Sequence, residues 1–382
     1  MGKNYLIALL TIVLAVVLIA GPVGAQQNSY KVGAILEATG GLSFLGDPGK
    51  KTFEMIAEEV NQSGGINGHP LELVIYDTVG QPSRAVTSVQ KLIKSDKVVA
   101  VLGPFSSGSA LAAIPIIQKS KIPNIALGAS RKIVEPTKKW VFNTVQTDRN
   151  AVIRIYEYMQ KQGIKKIGII TVSNGFGDSG REQLLEEAPK FGIEVVADEK
   201  FGGKDSDMTA QLTSIQTTDA QAIVCWTVGP TLTIVTKNWK QLAVKIPLYQ
   251  SHGAASRKFL ELAGDSAEQL VFPAPKLIVA DQIADSDPQK KILIAYRDAY
   301  EKKYGQAVSK FGGNAHDAIR IIISALKSVG PNPEKIRDYI ENLKDYAGIV
   351  GVYNYSPTDH NGLSKDYFVL VKVVNNNWKL LE

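Results

Sequence analysis

The sequence predicts an α/β protein built from two doubly wound lobes. Short apolar runs of strand length alternate with segments whose apolar residues recur at helical spacing, which is the pattern of parallel strands joined by crossover helices. The alternation begins near residue 31 and begins again near residue 148. A chain of 382 residues exceeds what one such sheet usually holds, so each series predicts a lobe of its own.

Strands and helices follow one another through the first series. Its predicted strands are residues 31–37, 71–76 and 98–102 and a short strand around Ile125. Its predicted helices carry apolar stripes at Phe53, Ile56 and Val60 and at Val86, Val89 and Ile93, and a third helix runs to about Lys119. Residues three or four positions apart share one face of a helix, so each stripe predicts a helix that packs on the sheet.

The second series repeats the pattern and leads into a strand-rich tail. Its predicted strands are residues 165–172, 193–197, 222–226 and 246–249, and its helices carry Ile153, Tyr156 and Met159 and then Leu184, Ala188 and Phe191. A later stripe of Ala315, Ile319, Ile322 and Leu326 predicts another helix. The last apolar segments, 353–355 and 367–374, predict short antiparallel strands that complete an earlier sheet instead of forming a third domain.

Composition argues against several classes of protein. The formal net charge is +6, but the basic residues are scattered and lack aromatic residues in series beside them, so no nucleic-acid partner is predicted. Cys225 is the single cysteine, which excludes an internal disulfide and a Cys-rich metal cluster. The four histidines, His69, His252, His316 and His360, show no metal-ligand spacing. Neither a metal nor a cofactor is therefore predicted.

The first 25 residues predict a cleaved signal peptide. Lys3 precedes an apolar run over residues 6–20, and small residues lead to a cleavage site after Ala25. A retained membrane anchor is the alternative, but 15 residues of helix span only about 22 Å of the roughly 30 Å hydrocarbon core. Residue 26 is Gln and not Cys, so no lipid anchor is indicated. The mature protein is expected outside the cytoplasmic membrane, in the periplasm or its equivalent.

Two neighbouring strand ends carry glycine and serine. Residues 103–109, GPFSSGS, follow one predicted strand and open a helix, and residues 125–130 end the next strand in Gly128, Ala129 and Ser130. Ligands of open parallel sheets bind beyond the carboxyl ends of the strands, and a helix N-terminus favours an anion. The alternative is that Ser106 or Ser107 only caps the helix. Together the two ends predict a carboxylate site formed by uncharged donors.

Two enzyme hypotheses compete with a binding site. The segment GFGDSG at residues 175–180 matches G-x-G-x-x-G, and Asp198 follows it, as in a dinucleotide site. Two residues separate it from the strand, however, and nicotinamide cofactors are largely cytoplasmic. A hydrolase would need Ser106, His252 and an aspartate to meet, and no G-x-S-x-G motif is present. Phe176 is instead predicted to close over a ligand.

The motifs in their order resemble the periplasmic leucine/isoleucine/valine-binding proteins, the type I solute-binding components of ABC transporters. The resemblance covers essentially the whole mature chain. It rests on Thr39-Gly40-Gly41, on FLGD at residues 44–47, on NQSGGINGHP at 61–70 before a strand ending in Tyr76-Asp77, and on the loops at 103–107 and 175–177.

The resemblance implies two lobes joined by three hinge crossings, with a ligand cleft that closes by hinge motion. The crossings are expected near residues 147, 272 and 352. The first lobe is then residues 26–147 plus 273–352, and the second is residues 148–272 plus 353–382. A protein that works in this way is expected to be a monomer.

The resemblance also implies which residues bind the ligand. A ligand carboxylate is expected at Ser106, Gly128 and Ser130, and its apolar part at Leu45, Phe176 and Trp226. The family's ammonium-binding glutamate corresponds to His252. The full predicted set is Leu45, Phe105, Ser106, Ser107, Gly128, Ala129, Ser130, Arg149, Phe176, Trp226 and His252.

His252 changes the expected ligand, because a buried ammonium needs a carboxylate partner. A histidine can instead donate to a second oxygen, and Arg149 is expected to add a cation near the cleft. The favoured ligand is therefore a small apolar acid without an amine, such as an aromatic or keto acid, delivered to an ABC permease. A branched-chain amino acid is the alternative if Asp148 or Asp178 replaces the glutamate. A sensory module on the same fold is a further alternative.

Overall fold

The computed structural model describes residues 28–381, which form two α/β lobes, each around its own sheet. The predicted signal peptide, residues 1–25, lies outside the described residues. The first lobe begins with β1 (Tyr30–Leu36), α1 (Ser43–Gln62), β2 (Leu71–Asp77), α2 (Pro82–Lys91), β3 (Ala100–Leu102), α3 (Ser107–Ser120), β4 (Asn124–Ala126) and β5 (Val141–Asn143).

The sheet of the first lobe has five parallel strands in the order β2-β1-β3-β4-β5. Val32 of β1 lies opposite Leu73 of β2 and Ala100 of β3. Residues 32–36 of β1 are all buried, as expected where helices cover both faces of a parallel sheet. The strands expected from the sequence are confirmed, and β5 is an additional strand that the sequence analysis did not predict.

The second lobe repeats the alternation. Its elements are α4 (Asp148–Lys161), β6 (Lys166–Val172), α5 (Gly175–Glu187), β7 (Glu194–Phe201), α6 (Thr209–Gln216), β8 (Ala222–Trp226), α7 (Pro230–Gln241), β9 (Leu248–Gln250), α8 (Arg257–Ala263) and β10 (Val271–Pro275). All five residues of β8 are buried, which places this strand at the centre of the lobe.

The rest of the chain returns to both lobes. Its elements are α9 (Lys290–Tyr304), α10 (Lys310–Val329), α11 (Pro333–Glu341), β11 (Tyr346–Ala347), β12 (Val352–Tyr353), β13 (Phe368–Val374) and β14 (Asn377–Leu380). The predicted stripe on α10 is buried in the core of the first lobe. Across residues 28–381, no helix combines the length and the apolar character that crossing a membrane would need.

The second sheet has seven strands in the order β14-β13-β10-β9-β8-β6-β7. Strands β6 to β10 run parallel to one another, whereas β13 runs antiparallel to β10, and β14 to β13. The tail of the chain therefore completes an earlier sheet, as the sequence predicts.

The chain passes between the lobes at three places, and two of them differ from the predicted boundaries. The first connection, residues 144–147, lies between β5 and α4. The predicted boundary at residue 272 falls inside β10, whose five residues all pair with β13, so the chain leaves the second sheet only after Pro275. Residues 353–363 stay with the first lobe instead of joining the second. Tyr353, Tyr355 and Leu363 lie in the core of the first lobe, and the third connection precedes β13.

A buried carboxylate explains why this segment stays with the first lobe. Asp317 of α10 is fully buried and accepts hydrogen bonds of 2.8 Å from the backbone N–H groups of Ile349 and Val350. It also accepts one of 2.8 Å from the hydroxyl of Tyr353. Gly348 permits this approach, because a Cβ atom there would lie 2.4 Å from an Asp317 oxygen.

We expect Asp317→Asn to lower the free energy of unfolding by about 2–4 kcal/mol. The amide nitrogen of asparagine cannot accept a hydrogen bond, so a buried donor loses its partner and a new N–H is buried beside it. Urea unfolding checks this. Asp285→Asn is the matched control, because its side chain is fully exposed at 101% and should change stability by less than about 0.5 kcal/mol. An Asp317→Asn protein as stable as the control would contradict the expectation.

Candidate functional site

A cavity of about 390 Å³ lies between the lobes at the carboxyl ends of their strands. Its walls come from both lobes and from the first connection. The first lobe contributes Leu42, Leu45, Gly80, Pro82, Phe105, Ser106, Ser107, Gly108, Ser109, Leu127, Ala129 and Lys310, the connection contributes Val145, and the second lobe contributes Asn174, Gly175, Phe176, Val228, His252 and Gly253. Most of these side chains are apolar, so the cavity suits a ligand with an apolar body.

The two lobes touch across the cavity, so the structure is a closed one. A Cβ atom on Gly175 of the second lobe would lie 2.9 Å from the backbone nitrogen of Gly108 in the first. The Gly175 position is thus one where only a hydrogen fits between the lobes. Ion pairs between Arg131 and Glu186, at 3.4 Å, and between Lys132 and Glu182 also join the lobes.

We expect Gly175→Ala to weaken the binding of every ligand at least about tenfold. The added methyl group meets the Gly108 backbone, which cannot move aside as a flexible side chain could, so the lobes stop short of the closed position. Small-angle X-ray scattering with and without ligand, together with calorimetric titration, measures both effects. Gly41→Ala is the control, because a Cβ atom there has no neighbour within 4 Å. Full affinity in Gly175→Ala would contradict the steric argument.

Seven of the predicted binding residues line the cavity, and four do not. Those that line it are Leu45, Phe105, Ser106, Ser107, Ala129, Phe176 and His252. Gly128, Ser130 and Trp226 lie behind this layer. Gly128 is packed beneath the start of α3, where a Cβ atom would lie 3.1 Å from Cα of Ser107. Ser130 is fully buried, and its backbone N–H donates to the Ser107 hydroxyl at 3.2 Å.

Arg149 lies outside the cavity, contrary to the sequence-based expectation. Its guanidinium forms an ion pair of 2.9 Å with Glu187, and its side chain is 37% exposed. It lines a separate surface depression next to the first connection. Asp178 also faces away from the cavity, because its carboxylate is 59% exposed and lies 3.8 Å from the ammonium of Lys200. Neither residue is therefore placed to contact a ligand in the cavity.

The hydroxyl of Ser106 faces a carboxylate of the chain itself. Glu37 follows β1 and is fully buried, and its carboxylate accepts the Ser106 hydroxyl at 2.8 Å. It also accepts the backbone N–H groups of Phe105, at 3.1 Å, and Ser106, at 3.3 Å. Burial raises the pKa of Glu37, and these hydrogen bonds oppose the rise. The Ser106 hydroxyl, which the sequence analysis assigned to a ligand carboxylate, thus has a partner within the protein.

His252 is enclosed by aromatic rings. Its ring centroid lies 5.6 Å from those of Phe176 and Trp226 and 5.5 Å from that of Phe368. Neither ring nitrogen has a hydrogen-bond partner in the described part of the chain. Burial lowers the pKa of His252 well below its ordinary value, and the charge of Lys310 lowers it further. A neutral ring offers one donor and one acceptor to a ligand.

Two buried groups of opposite charge lie near His252. Asp148 begins α4 in the second lobe, and one of its carboxylate oxygens lies 3.9 Å from Nε2 of His252. Burial raises the pKa of Asp148 to about 8, although Ser179, Lys310 and Trp226 act to lower it. Lys310 begins α10 in the first lobe and lines the cavity. Burial lowers its pKa to about 7, and the charge of Asp148 opposes that change.

Lys310 is the principal site residue that the sequence analysis missed. Within residues 28–381 its ammonium forms no hydrogen bond or ion pair, and it lies 5.2 Å from the ring of Phe311. A signal was present in the sequence, because a lysine at the first position of a helix opposes the helix dipole and so suggests another role. Glu37 carried a weaker signal, a lone acidic residue at the end of an apolar strand.

Neither enzyme hypothesis is supported by the geometry. In the G-x-G-x-x-G segment, the N–H groups of Phe176 and Gly177 both donate to the Asn174 side chain at 3.0 Å, so they are not free for a pyrophosphate. The last glycine leaves room for Trp226, whose Nε1 would lie 2.0 Å from a Cβ atom on Gly180. Ser106 bonds to Glu37 and not to His252, so no nucleophile–base pair forms.

Comparisons with known proteins agree with this architecture. The leucine-, isoleucine-, valine-, threonine- and alanine-binding protein of Pseudomonas aeruginosa is 23% identical over 314 residues, which cover 81% of this chain and 82% of that protein. Leu/Ile/Val-binding protein homolog 7 of Brucella suis is 25% identical over 326 residues, covering 82% of this chain and 80% of its own. Each similarity covers about four-fifths of both chains.

Solved structures are similar over most of the chain. An extracellular ligand-binding receptor from Rhodopseudomonas palustris HaA2 superposes with a TM-score of 0.87 at 27% identity, covering 93% of this chain and 100% of its own. A branched-chain amino acid transporter substrate-binding protein from Streptococcus pneumoniae, solved with isoleucine, shares the fold with a TM-score of 0.81 at 23% identity over 93% and 99% of the two chains.

The family assignment rests on one further match. A profile described as periplasmic binding protein matches residues 29–377, nearly all of the described chain. The relatives are solute-binding proteins and not enzymes. Two α/β lobes around an interlobe cavity, together with this match, show that the chain belongs to the periplasmic binding protein family, in its type I leucine/isoleucine/valine-binding branch.

Proposed function

We propose that the protein captures a small apolar carboxylate without an amine, an aromatic or keto acid, and delivers it to an ABC permease. The observation that carries this proposal is the charge of the cavity wall. Among the described residues that line the cavity there is a lysine and a histidine, but no aspartate or glutamate. A ligand ammonium would thus lack an anionic partner on the wall, whereas a carboxylate would meet Lys310.

The carboxylate is proposed to bind between Lys310 and the start of α3. Ser107 and Gly108 are the first residues of that helix, so their N–H groups have no acceptor within the helix and lie at its positive end. Leu45, Phe105 and Phe176 surround the apolar body of the ligand. His252 lies on the opposite wall, where its N–H can donate to a second oxygen such as a keto group.

Leucine and 4-methyl-2-oxopentanoate form a matched pair of test ligands, because they differ at the amine and the keto oxygen only. We expect the keto acid, and aromatic acids such as phenylpyruvate and benzoate, to raise the melting temperature, and leucine to do so less. A site filled at 100 times its Kd adds about 2.7 kcal/mol of stability. Stabilisation by leucine but by none of the acids would overturn the proposal.

We expect His252→Ala to weaken keto acids about tenfold while changing the affinity for benzoate much less. Only the keto acids carry the second oxygen that the histidine N–H would reach, and one hydrogen bond is worth about 0.5–1.5 kcal/mol. Calorimetric titration of phenylpyruvate and benzoate measures the difference. Equal losses for both ligands would show that the ring acts only through packing, which is a separate role.

A branched-chain amino acid is the second candidate, and two observations favour it. The relatives from Pseudomonas aeruginosa and Brucella suis are named for binding leucine, isoleucine and valine. Asp148 is the nearest acidic residue to the histidine, at 3.9 Å, and could receive an ammonium if the ring moved. Asp148→Asn separates the candidates, because it should abolish the binding of an amino acid and should preserve that of a keto acid.

The proposed setting follows from the family and the N-terminal sequence. Membership of the family implies a location outside the cytoplasm. We propose that residues 1–25 direct export and are cleaved after Ala25, and that the mature protein works as a monomer with a membrane permease. Mass spectrometry of the secreted protein would check the new N-terminus, and ligand that co-purifies with it would be identified in the same measurement.

A further inference from the structure

The buried carboxylate of Glu37 has the contacts that a bound acid would make. It accepts two backbone N–H groups and one hydroxyl, from Phe105 and Ser106, at the strand end where the cavity begins. Both of those residues also line the cavity. The donors therefore belong to residues of the cavity wall, and Glu37, which does not line the cavity, is bonded to them from behind.

The backbone around Glu37 is packed so that the carboxylate cannot easily swing away. A Cβ atom on Gly46 of α1 would lie 2.4 Å from the carbonyl carbon and oxygen of Glu37. A Cβ atom on Gly49, one turn later, would lie 2.1 Å from the ring of Phe105. The two glycines let α1 pack directly against the backbone of Glu37 and the ring of Phe105. This packing holds Glu37 and its donor Phe105 together.

We infer that Glu37 is a specificity-determining residue that takes the place of a second acid group and so restricts the ligand to a single carboxylate. The ligand class in this inference rests on the function proposed above. A diacid that placed one carboxylate at Lys310 and the other near Ser106 would find the donors already used by Glu37. A second carboxylate left without donors in a buried site is strongly unfavourable.

Variants of Glu37, measured without any natural ligand, test whether the donors of Phe105 and Ser106 can bind an anion from solution. We expect sodium formate, compared with sodium chloride at equal ionic strength, to raise the melting temperature of Glu37→Ala and Glu37→Ser by several degrees. Formate then replaces the missing acceptor. The wild-type protein and Glu37→Gln should respond much less, because a side chain of the original size still fills the space and formate can then reach only the ligand site at Lys310. The same response in all four proteins, or none in the two small variants, overturns the inference.

Folding of the small variants is part of the test. If either variant is unfolded in chloride, formate should restore it, since a diffusible carboxylate supplies the acceptor that the three donors of Phe105 and Ser106 then lack. A variant that stays unfolded in formate also overturns the inference. This arm requires no knowledge of the natural ligand, so its result stands whether or not the proposed function is correct.

Diacids then test specificity. Each monoacid that stabilises the wild-type protein is compared with diacids that carry one more carboxylate on the same skeleton, such as benzoate with the three phthalate isomers. We expect wild-type affinity for the diacids to be at least about a hundredfold lower, and Glu37→Ala to reduce this difference to tenfold or less for one isomer. Equal affinity of the wild-type protein for both classes overturns the inference. Absence of binding by every monoacid contradicts the proposed function instead, and the formate result still decides the role of Glu37.

Discussion

Lys310→Met should weaken the binding of small acids while making the ligand-free protein more stable. Removing one partner of a buried charge pair costs about 2–5 kcal/mol of binding, so affinity should fall about thirtyfold or more. Calorimetric titration with the acid that best stabilises the wild-type protein measures the loss. Lys258→Met is the control, since that side chain is 64% exposed and far from the cavity wall, and it should leave affinity unchanged.

The stability that Lys310→Met gains should be largest at low pH and should decrease as the pH rises. Burial lowers the pKa of Lys310 from 10.5 to about 7. Below pH 7 the folded protein must hold a proton that its burial disfavours, whereas the unfolded lysine is protonated up to about pH 10.5. The free-energy cost of burying a protonated Lys310 is complete below pH 7 and disappears as the pH rises to 10.5. Methionine removes the penalty, so its stabilising effect should be greatest near pH 6. A variant less stable than wild type at pH 6 would contradict the argument.

Acid affinity should fall as the pH rises above about 7. The proposed ligand is an anion and is expected to bind the protonated form of Lys310, whose pKa is about 7 in the ligand-free protein. Affinity should therefore decrease about tenfold per pH unit above that value, and should be about a hundredfold weaker at pH 9 than at pH 6. Asp148, whose pKa is about 8, adds a negative charge over the same range and strengthens the trend. His252 stays neutral throughout, because burial lowers its pKa well below 6.5.

Proton uptake on binding provides an independent measurement of the same effect. Titrations at pH 8 in two buffers with different ionisation enthalpies should give different apparent binding enthalpies, and the difference counts the protons taken up. Lys310→Met should lose most of the proton uptake and most of the pH dependence, and the remainder is the share that comes from Asp148. Constant affinity of the wild-type protein from pH 6 to pH 9 would mean that Lys310 is not the partner of the carboxylate.

The sequence predicted the fold closely because the pattern that forms a parallel sheet is local. Apolar runs such as 222–226 are buried on both faces, and they became the central strands. The short strand β5 was missed, since three residues between loops carry no periodicity. The position of the third connection was also missed, because it depends on a hydrogen bond from Tyr353 to Asp317, which lie 36 residues apart in the chain.

The candidate site was predicted less completely than the fold. Loops at strand ends identified Ser106, Ser107 and Phe176 as cavity residues, because topology alone brings those ends together. Topology does not indicate which side chain is a partner of which. The Ser106 hydroxyl could be recognised as a donor, but its acceptor, Glu37, lies just after another strand, 69 residues away in the chain. Lys310 enters from a helix that begins more than fifty residues after the last of the predicted site residues.

Val145 belongs both to the first connection between the lobes and to the wall of the cavity. The hinge between the lobes and the ligand cavity therefore have a residue in common. A bulkier ligand that contacts Val145 acts at the hinge. A small displacement there changes the angle between the lobes and so moves their outer edges by a larger distance. The size and shape of the bound molecule should consequently set the distance between the outer surfaces of the two lobes. These are the surfaces that a membrane partner can contact.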